Sequence, residues 1–148
     1  MSSMVLHDAR LKGGTPVYYD HRVRCDGTHD IDAIVYTVAK RGKVQPLWPL
    51  HILCHGFGEQ WFHCEESCNG AMPVTHGGFG LHLGKQGLNI HNVDKTRAWK
   101  GRVELIVLFA CSPADDSAKA MYGGVWGDGV AFCRDLHVNT GATVIAAR

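Results

Sequence analysis

Two apolar runs in this chain each end on a side chain able to do chemistry. "PLHILCHGFG", residues 49–58, delivers His55 and Gly56, and "ELIVLFACSPAD", residues 104–115, delivers Ala110 and Cys111. A thiol attacks carbonyl carbon as its thiolate, and an imidazole within reach can take the thiol proton and hand it to a leaving amine. Glycine beside the histidine lets a carbonyl come close to the main chain, and its N–H is free to bind an oxyanion. The types and order of these residues predict a catalytic pair, His55 and Cys111, with the Gly56 backbone as oxyanion donor.

Such a pair needs two strands to carry it. "LWPLHILC" and "VELIVLFA" are short continuous apolar runs, the form of strands buried on both faces of a parallel sheet. Pro49 is expected to mark the start of the first, where a missing N–H costs least. In open α/β sheets ligands gather at the carboxyl ends of the strands, and neighbouring strands lie roughly 5 Å apart. If the two runs are neighbours, His55 and Cys111 face one substrate.

The remaining elements follow from local signals. In "DIDAIVYTVAKRG", Ile31, Ile34, Val35 and Val38 recur at helical spacing between an Asp30 cap and Gly42, which is expected to close the helix. "NVDKTRAWKG" reads as a short helix from an Asn92 cap to Gly101, "DGVAFCRDLHVNTG" as a helix closed by Gly141, and "ATVIAA" as a last strand. "FGLHLG" alternates like one strand of a small hairpin, and residues 56–80 read as a long Gly-, Cys- and His-rich loop. Residues 1–29 read as strands or as an extended N-terminal arm. Alternating strands and helices predict a single α/β domain over residues 1–148, with a mostly parallel central sheet flanked by helices.

Composition narrows the function classes. The 148 residues are 45% hydrophobic, enough for one substantial core, and 15 Lys+Arg against 14 Asp+Glu leave a net charge of +1 with no basic run to neutralise a phosphate backbone. No nucleic acid partner is expected. No stretch has signal-peptide or membrane-spanning character, so no membrane partner is expected either, and the default is a cytoplasmic protein, with export lacking a cleaved signal left open. The six cysteines, at 25, 54, 64, 68, 111 and 133, show no repeat spacing and read as reduced thiols.

The ordered pair His-Gly and Ala-Cys, each after an apolar strand, resembles the caspase-like cysteine peptidases, a group that also includes the legumain, gingipain, clostripain and separase types. Residues 48–147, through "LHILCHGFG", "GGFGLHLGKQGL", "VELIVLFACSPAD" and "TGATVIAA", look most like bacterial caspase-like and CHAT-type domains. The resemblance implies a caspase-like three-layer sandwich, His55 as catalytic histidine, Cys111 as nucleophile, a protein or peptide substrate and no cofactor. The caspase signature around the cysteine is absent, since the chain reads Phe109-Ala110-Cys111-Ser112-Pro113, and aspartate specificity is not implied.

Plainer readings stand beside these. Cys54 precedes His55 and on a strand points to the other face, so it reads as core, and Cys133 reads as packing on a helix face. Asp115, Asp116 and Asp128 follow the thiol in polar loops; such carboxylates are commonly just solvated, though one there is also placed to orient His55 or to select a basic substrate side chain. His63, Cys64, Cys68 and His76 carry zinc-type donors, but their spacing is not diagnostic and no metal is expected. The rivals to a thiol hydrolase are a non-catalytic caspase-like interaction module and a small zinc protein centred on residues 63–76.

Overall fold

In the computed structural model the described residues are 1–56, 80–110 and 128–147, together with two short strands at 59–62 and 73–76. The chain runs through β1 (Ser2–Asp8), β2 (His21–Cys25), α1 (Ile31–Val44), β3 (Leu47–Leu53), β4 (His55–Gly56), β5 (Glu59–Phe62), β6 (Pro73–His76) and β7 (Leu81–His82). A 3-10 helix (Val93–Trp99), β8 (Leu105–Phe109), α2 (Gly129–Thr140) and β9 (Thr143–Ala146) follow.

Five strands form one sheet in the order β2-β1-β3-β8-β9, and every pairing in it is parallel. The architecture is therefore α/β, as the alternation of elements predicts. From β2 the chain steps to β3, β8 and β9 in one direction, so right-handed crossovers put α1 and α2 on the same face. There Met4, Leu6, Leu50, Ile52, Ile106 and Leu108 pack in one core with Ile34, Val38, Trp99, Phe132 and Leu136. Trp99 is wholly buried and its indole N–H donates to the Val35 carbonyl at 2.9 Å, pinning the 3-10 helix to α1.

The step from β1 to β2 goes the opposite way, and residues 9–20 accordingly cross the other face. Ser3 donates its backbone N–H and hydroxyl to Asp20 at 2.8 and 3.1 Å, the His7 ring meets the Thr15 hydroxyl at 2.8 Å, and Tyr19 hydrogen-bonds with His51. Rings of Tyr18, Tyr19, His51 and Phe109 continue from that contact as a ladder with centroids 4.9–5.3 Å apart. No helix among the described residues is long and apolar enough to cross a membrane.

Several local expectations are corrected. Of the two readings of residues 1–29, strands are found, and β1 sits inside the sheet between β2 and β3. Pro49 is not the start of its strand: β3 begins at Leu47, and Pro49 lies where the register with β1 shifts, between the pairs Ser2 with Leu47 and Met4 with Leu50. A bulge tolerates the missing donor as well as a strand start does. Part of the expected loop 56–80 is paired, β5 with β6 and β4 with β7, both antiparallel. The segment after Asn92 is a 3-10 helix that ends at Trp99, and the Asn92 side chain makes no capping bond.

Gly42 does not close α1, which continues to Val44. It lies inside the helix because the chain before β8 passes against it: a Cβ there would stand 2.3 Å from the Arg102 carbonyl oxygen and 2.8 Å from the Arg102 Cβ. Replacing a helical glycine by alanine ordinarily stabilises by about 0.5–1 kcal/mol. At this position the sign is expected to invert, Gly42→Ala costing about 1–3 kcal/mol as the backbones are forced apart. A rise in the urea midpoint of the variant would refute this packing.

Candidate active site

The connections leaving β1 and β3 go to opposite sides, which makes the carboxyl ends of these two neighbours the switch point of the sheet. Crevices for ligands open there because the loops diverge. His55 lies at that point. The β3·β8 register pairs Leu53 with Phe109, and the Cys54 N–H still donates to the Phe109 carbonyl at 3.3 Å, so the two strands end level. Ala110 is partly buried against the core. Cys111, Asp115 and Asp116 lie outside the described residues, as do His63, Cys64 and Cys68.

Alternation of side chains along the strand separates Cys54 from His55. Cys54 is buried, as expected, and His55 is exposed. The His55 Nε2 is 3.0 Å from the Arg10 carbonyl oxygen. A carbonyl only accepts, so Nε2 donates, and the neutral form compatible with this bond is the tautomer with its lone pair on Nδ1. Nδ1 is then the atom able to accept a proton from a neighbouring group. The backbone of His55 is paired with His82 and that of Gly56 with Leu81. Leu81 exchanges both backbone bonds with Leu88, at 2.7 and 3.0 Å. Opposite Gly56, Leu81 therefore belongs to the non-hydrogen-bonded kind of pair, and the Gly56 N–H is not engaged by β7.

Behind His55 lies a charge cluster that sequence reasoning missed. Asp8, the last residue of β1, is wholly buried. Its Oδ1 accepts from the Arg10 backbone N–H at 3.1 Å and from Arg10 Nε at 2.9 Å; its Oδ2 accepts from Arg10 Nη2 at 2.8 Å and from the Gly84 N–H at 3.0 Å. The same Nη2 reaches the carbonyls of His82 and Gly84 at 3.1 and 2.8 Å. Burial pushes the Asp8 carboxyl up, but the Arg10 hydrogen bonds and charge and the Gly84 N–H together outweigh it and hold the group below its ordinary 3.8. Burial, then the Arg10 charge, lowers His82. The signal in the sequence is "HDAR", a carboxylate and a guanidinium two residues apart at a strand end, and it becomes meaningful only once β1 is placed in the sheet.

The other candidates fall to structural roles. Asp128 caps α2, accepting from the Ala131 N–H at 2.9 Å. Cys133 is half-buried against the core. Burial pushes the Cys25 and Cys54 thiols up to about 12, with the Asp8 charge adding to it, and burial pushes Cys133 up to about 11. His51, beside Tyr19, is lowered by burial. Among the described residues no group of His, Cys, Asp or Glu side chains could hold a metal ion. Set beside known proteins, the chain matches no family model, no curated protein and no solved structure.

Two outcomes are expected from this cluster. In the native protein near neutral pH, Cys25 and Cys54 are expected to resist iodoacetamide until the chain is unfolded in urea, because both burial and a small thiolate fraction protect them; rapid native labelling of either, read by peptide mass, would contradict the packing. Asp8 has a folded pKa below its unfolded one, so its contribution to stability is present above about pH 4 and is lost as pH falls through the folded value. Thermal melts from neutral pH to pH 2 are expected to show a shallower acid limb for Asp8→Asn than for the parent, and parallel limbs would rule this contribution out.

Proposed function

We propose that the chain is a cysteine peptidase or related thiol hydrolase of caspase-like fold, acting on a protein or peptide substrate, with Cys111 as nucleophile and His55 as its proton-transfer partner. The observation that carries the reading is the His55 ring at the switch point, its Nε2 committed to the Arg10 carbonyl and its Nδ1 left basic, on the strand next to the one that leads into Cys111. Adjacent parallel strands lie about 5 Å apart where they are paired, and this pair runs level up to Leu53 and Phe109, which supports bringing the residues after each end to one substrate.

In this mechanism Nδ1 of His55 takes the thiol proton as Sγ of Cys111 attacks the substrate carbonyl carbon. The carbonyl π electrons move to oxygen, and the Gly56 N–H, not engaged by β7, binds that oxyanion. Collapse of the tetrahedral species breaks the C–N bond, Nδ1–H passes its proton to the departing amine, and a thioester remains on Cys111. Water, deprotonated by Nδ1, then attacks the thioester and releases the carboxylic acid and the thiol. Asp115 and Asp116 follow the nucleophile closely in sequence, and a substrate side chain of positive charge is the class they would select.

The test joins labelling and turnover. Alkylation near pH 7 is expected to modify Cys111 well ahead of Cys54 and Cys133, and His55→Ala is expected to slow it. Cys111→Ala is expected to abolish hydrolysis of a peptide library, and His55→Ala to reduce it about 10²- to 10⁴-fold, the usual worth of general acid–base catalysis, with the fold retained. A Cys111 thiol that reacts no faster than a model thiol, and at the same rate in His55→Ala, would leave the interaction-module reading in its place.

A further inference from the structure

We propose that the Asp8–Arg10 ion pair is a positioning unit for His55, fixing at once the carbonyl to which its ring donates and the strand pairing that its backbone makes. The inference starts from an oddity of Arg10: one residue touches His55 by two routes. Its own carbonyl accepts from His55 Nε2 at 3.0 Å. Its guanidinium binds the carbonyl of His82, and His82 is the residue paired with His55 across β4 and β7.

Neither route works unless Arg10 is held, and Asp8 holds it. The Leu11 N–H donates to the Asp8 carbonyl at 3.0 Å, closing a turn in which Arg10 is the third residue. Inside that turn Asp8 Oδ1 accepts the Arg10 N–H, which orients the peptide unit, and the carboxylate takes the guanidinium through both oxygens. Such a fork fixes direction as well as distance, which a single ammonium contact would not. Asp8 is wholly buried while Arg10 is one-third exposed, so the anchor is rigid and the arm reaches the rim. With Nε on Asp8 and Nη2 shared among Asp8, His82 and Gly84, those donors are occupied within the fold, so the arm acts on the histidine rather than on a substrate carboxylate.

The catalytic consequence rests on the hydrolase reading, whereas the positioning does not, and the experiment separates them. In ¹⁵N-labelled protein the His55 Nε2–H resonance reports the ring directly. In Arg10→Met, which removes a partly exposed guanidinium, Nε2–H is expected to exchange with water about tenfold faster, the equivalent of losing one good hydrogen bond. The His55 and His82 amides are expected to lose protection in parallel. Asp8→Asn is expected to do the same where it folds, and Arg10→Met decides the matter where it does not. A variant that melts earlier yet keeps the parent Nε2–H exchange rate would overturn the proposal and leave an ordinary stabilising ion pair. If the hydrolase reading holds, Cys111 alkylation near pH 7 in Arg10→Met falls about tenfold in step with the ring. Faster ring exchange with alkylation unchanged, there and in His55→Ala alike, supports the positioning and refutes the hydrolase.

Discussion

A carboxylate sealed from water must find its solvation in the protein, and the carboxyl end of this sheet is organised around meeting that demand for Asp8. An unpaired buried charge would cost several kcal/mol, so each partner of Asp8 is held in place by the penalty of its loss. The partners come from two directions. Arg10 is local and shapes the turn after β1, while the Gly84 N–H is brought in from 76 residues away. Gly84 itself has φ +66°, and a Cβ on it would stand 2.6 Å from Ile34 and 2.7 Å from the His29 carbonyl. Only glycine fits between the carboxylate and the start of α1. From there Lys85 donates to the His29 carbonyl and Gln86 bridges the Ile31 N–H and the Asp30 carboxylate, so the same segment that satisfies Asp8 also fastens the first turn of α1.

The two sides of β3 carry different duties as a result. Leu50, Ile52 and Cys54 face the core, where shape and apolar area decide the residue. His55 follows Cys54 and is exposed on the other side, and its neighbour across β4 and β7 is another histidine kept close to the Arg10 charge. Burial, and after it the cation behind the ring, oppose a positive charge there, so His82 favours the neutral ring at neutral pH. The rim thus holds two imidazoles side by side across one strand pair.

What could be read from the chain alone was whatever depended on near neighbours. The apolar stripe of α1 with its Asp30 cap, the two continuous strands, and α2 closed by Gly141 at φ +72° all have signals within a turn or a strand, whereas Asp128 reads as a loop carboxylate and is found capping α2. The position of His55 and Gly56 just past the end of β3 was legible because an apolar run followed by glycine is a local pattern. Gly42 was misjudged because its reason is the Arg102 backbone, a contact that helical periodicity does not contain. β1 was blurred because "SSMVLHD" mixes polar residues into a buried strand, and Ser3, His7 and Asp8 find partners in Asp20, Thr15 and Gly84, none of them adjacent in sequence. Asp8 and Arg10 were invisible as part of a site for the same reason: their meaning depends on His82 and Gly84, more than seventy positions away.

The parallel register also keeps two buried thiols of this core apart. Asp8 is paired with Cys25 on one side, and the His7–Leu53 pair on the other side leads into Cys54, so the two thiols flank the carboxylate from strands on either side of β1. Two strand spacings put their Cα atoms roughly 9–10 Å apart, beyond the ~7 Å limit for a disulfide. Joining them would mean expelling β1 from between them, and with it the carboxylate. This pair of buried sulfurs is thus insulated from crosslinking to each other by the strand that separates them.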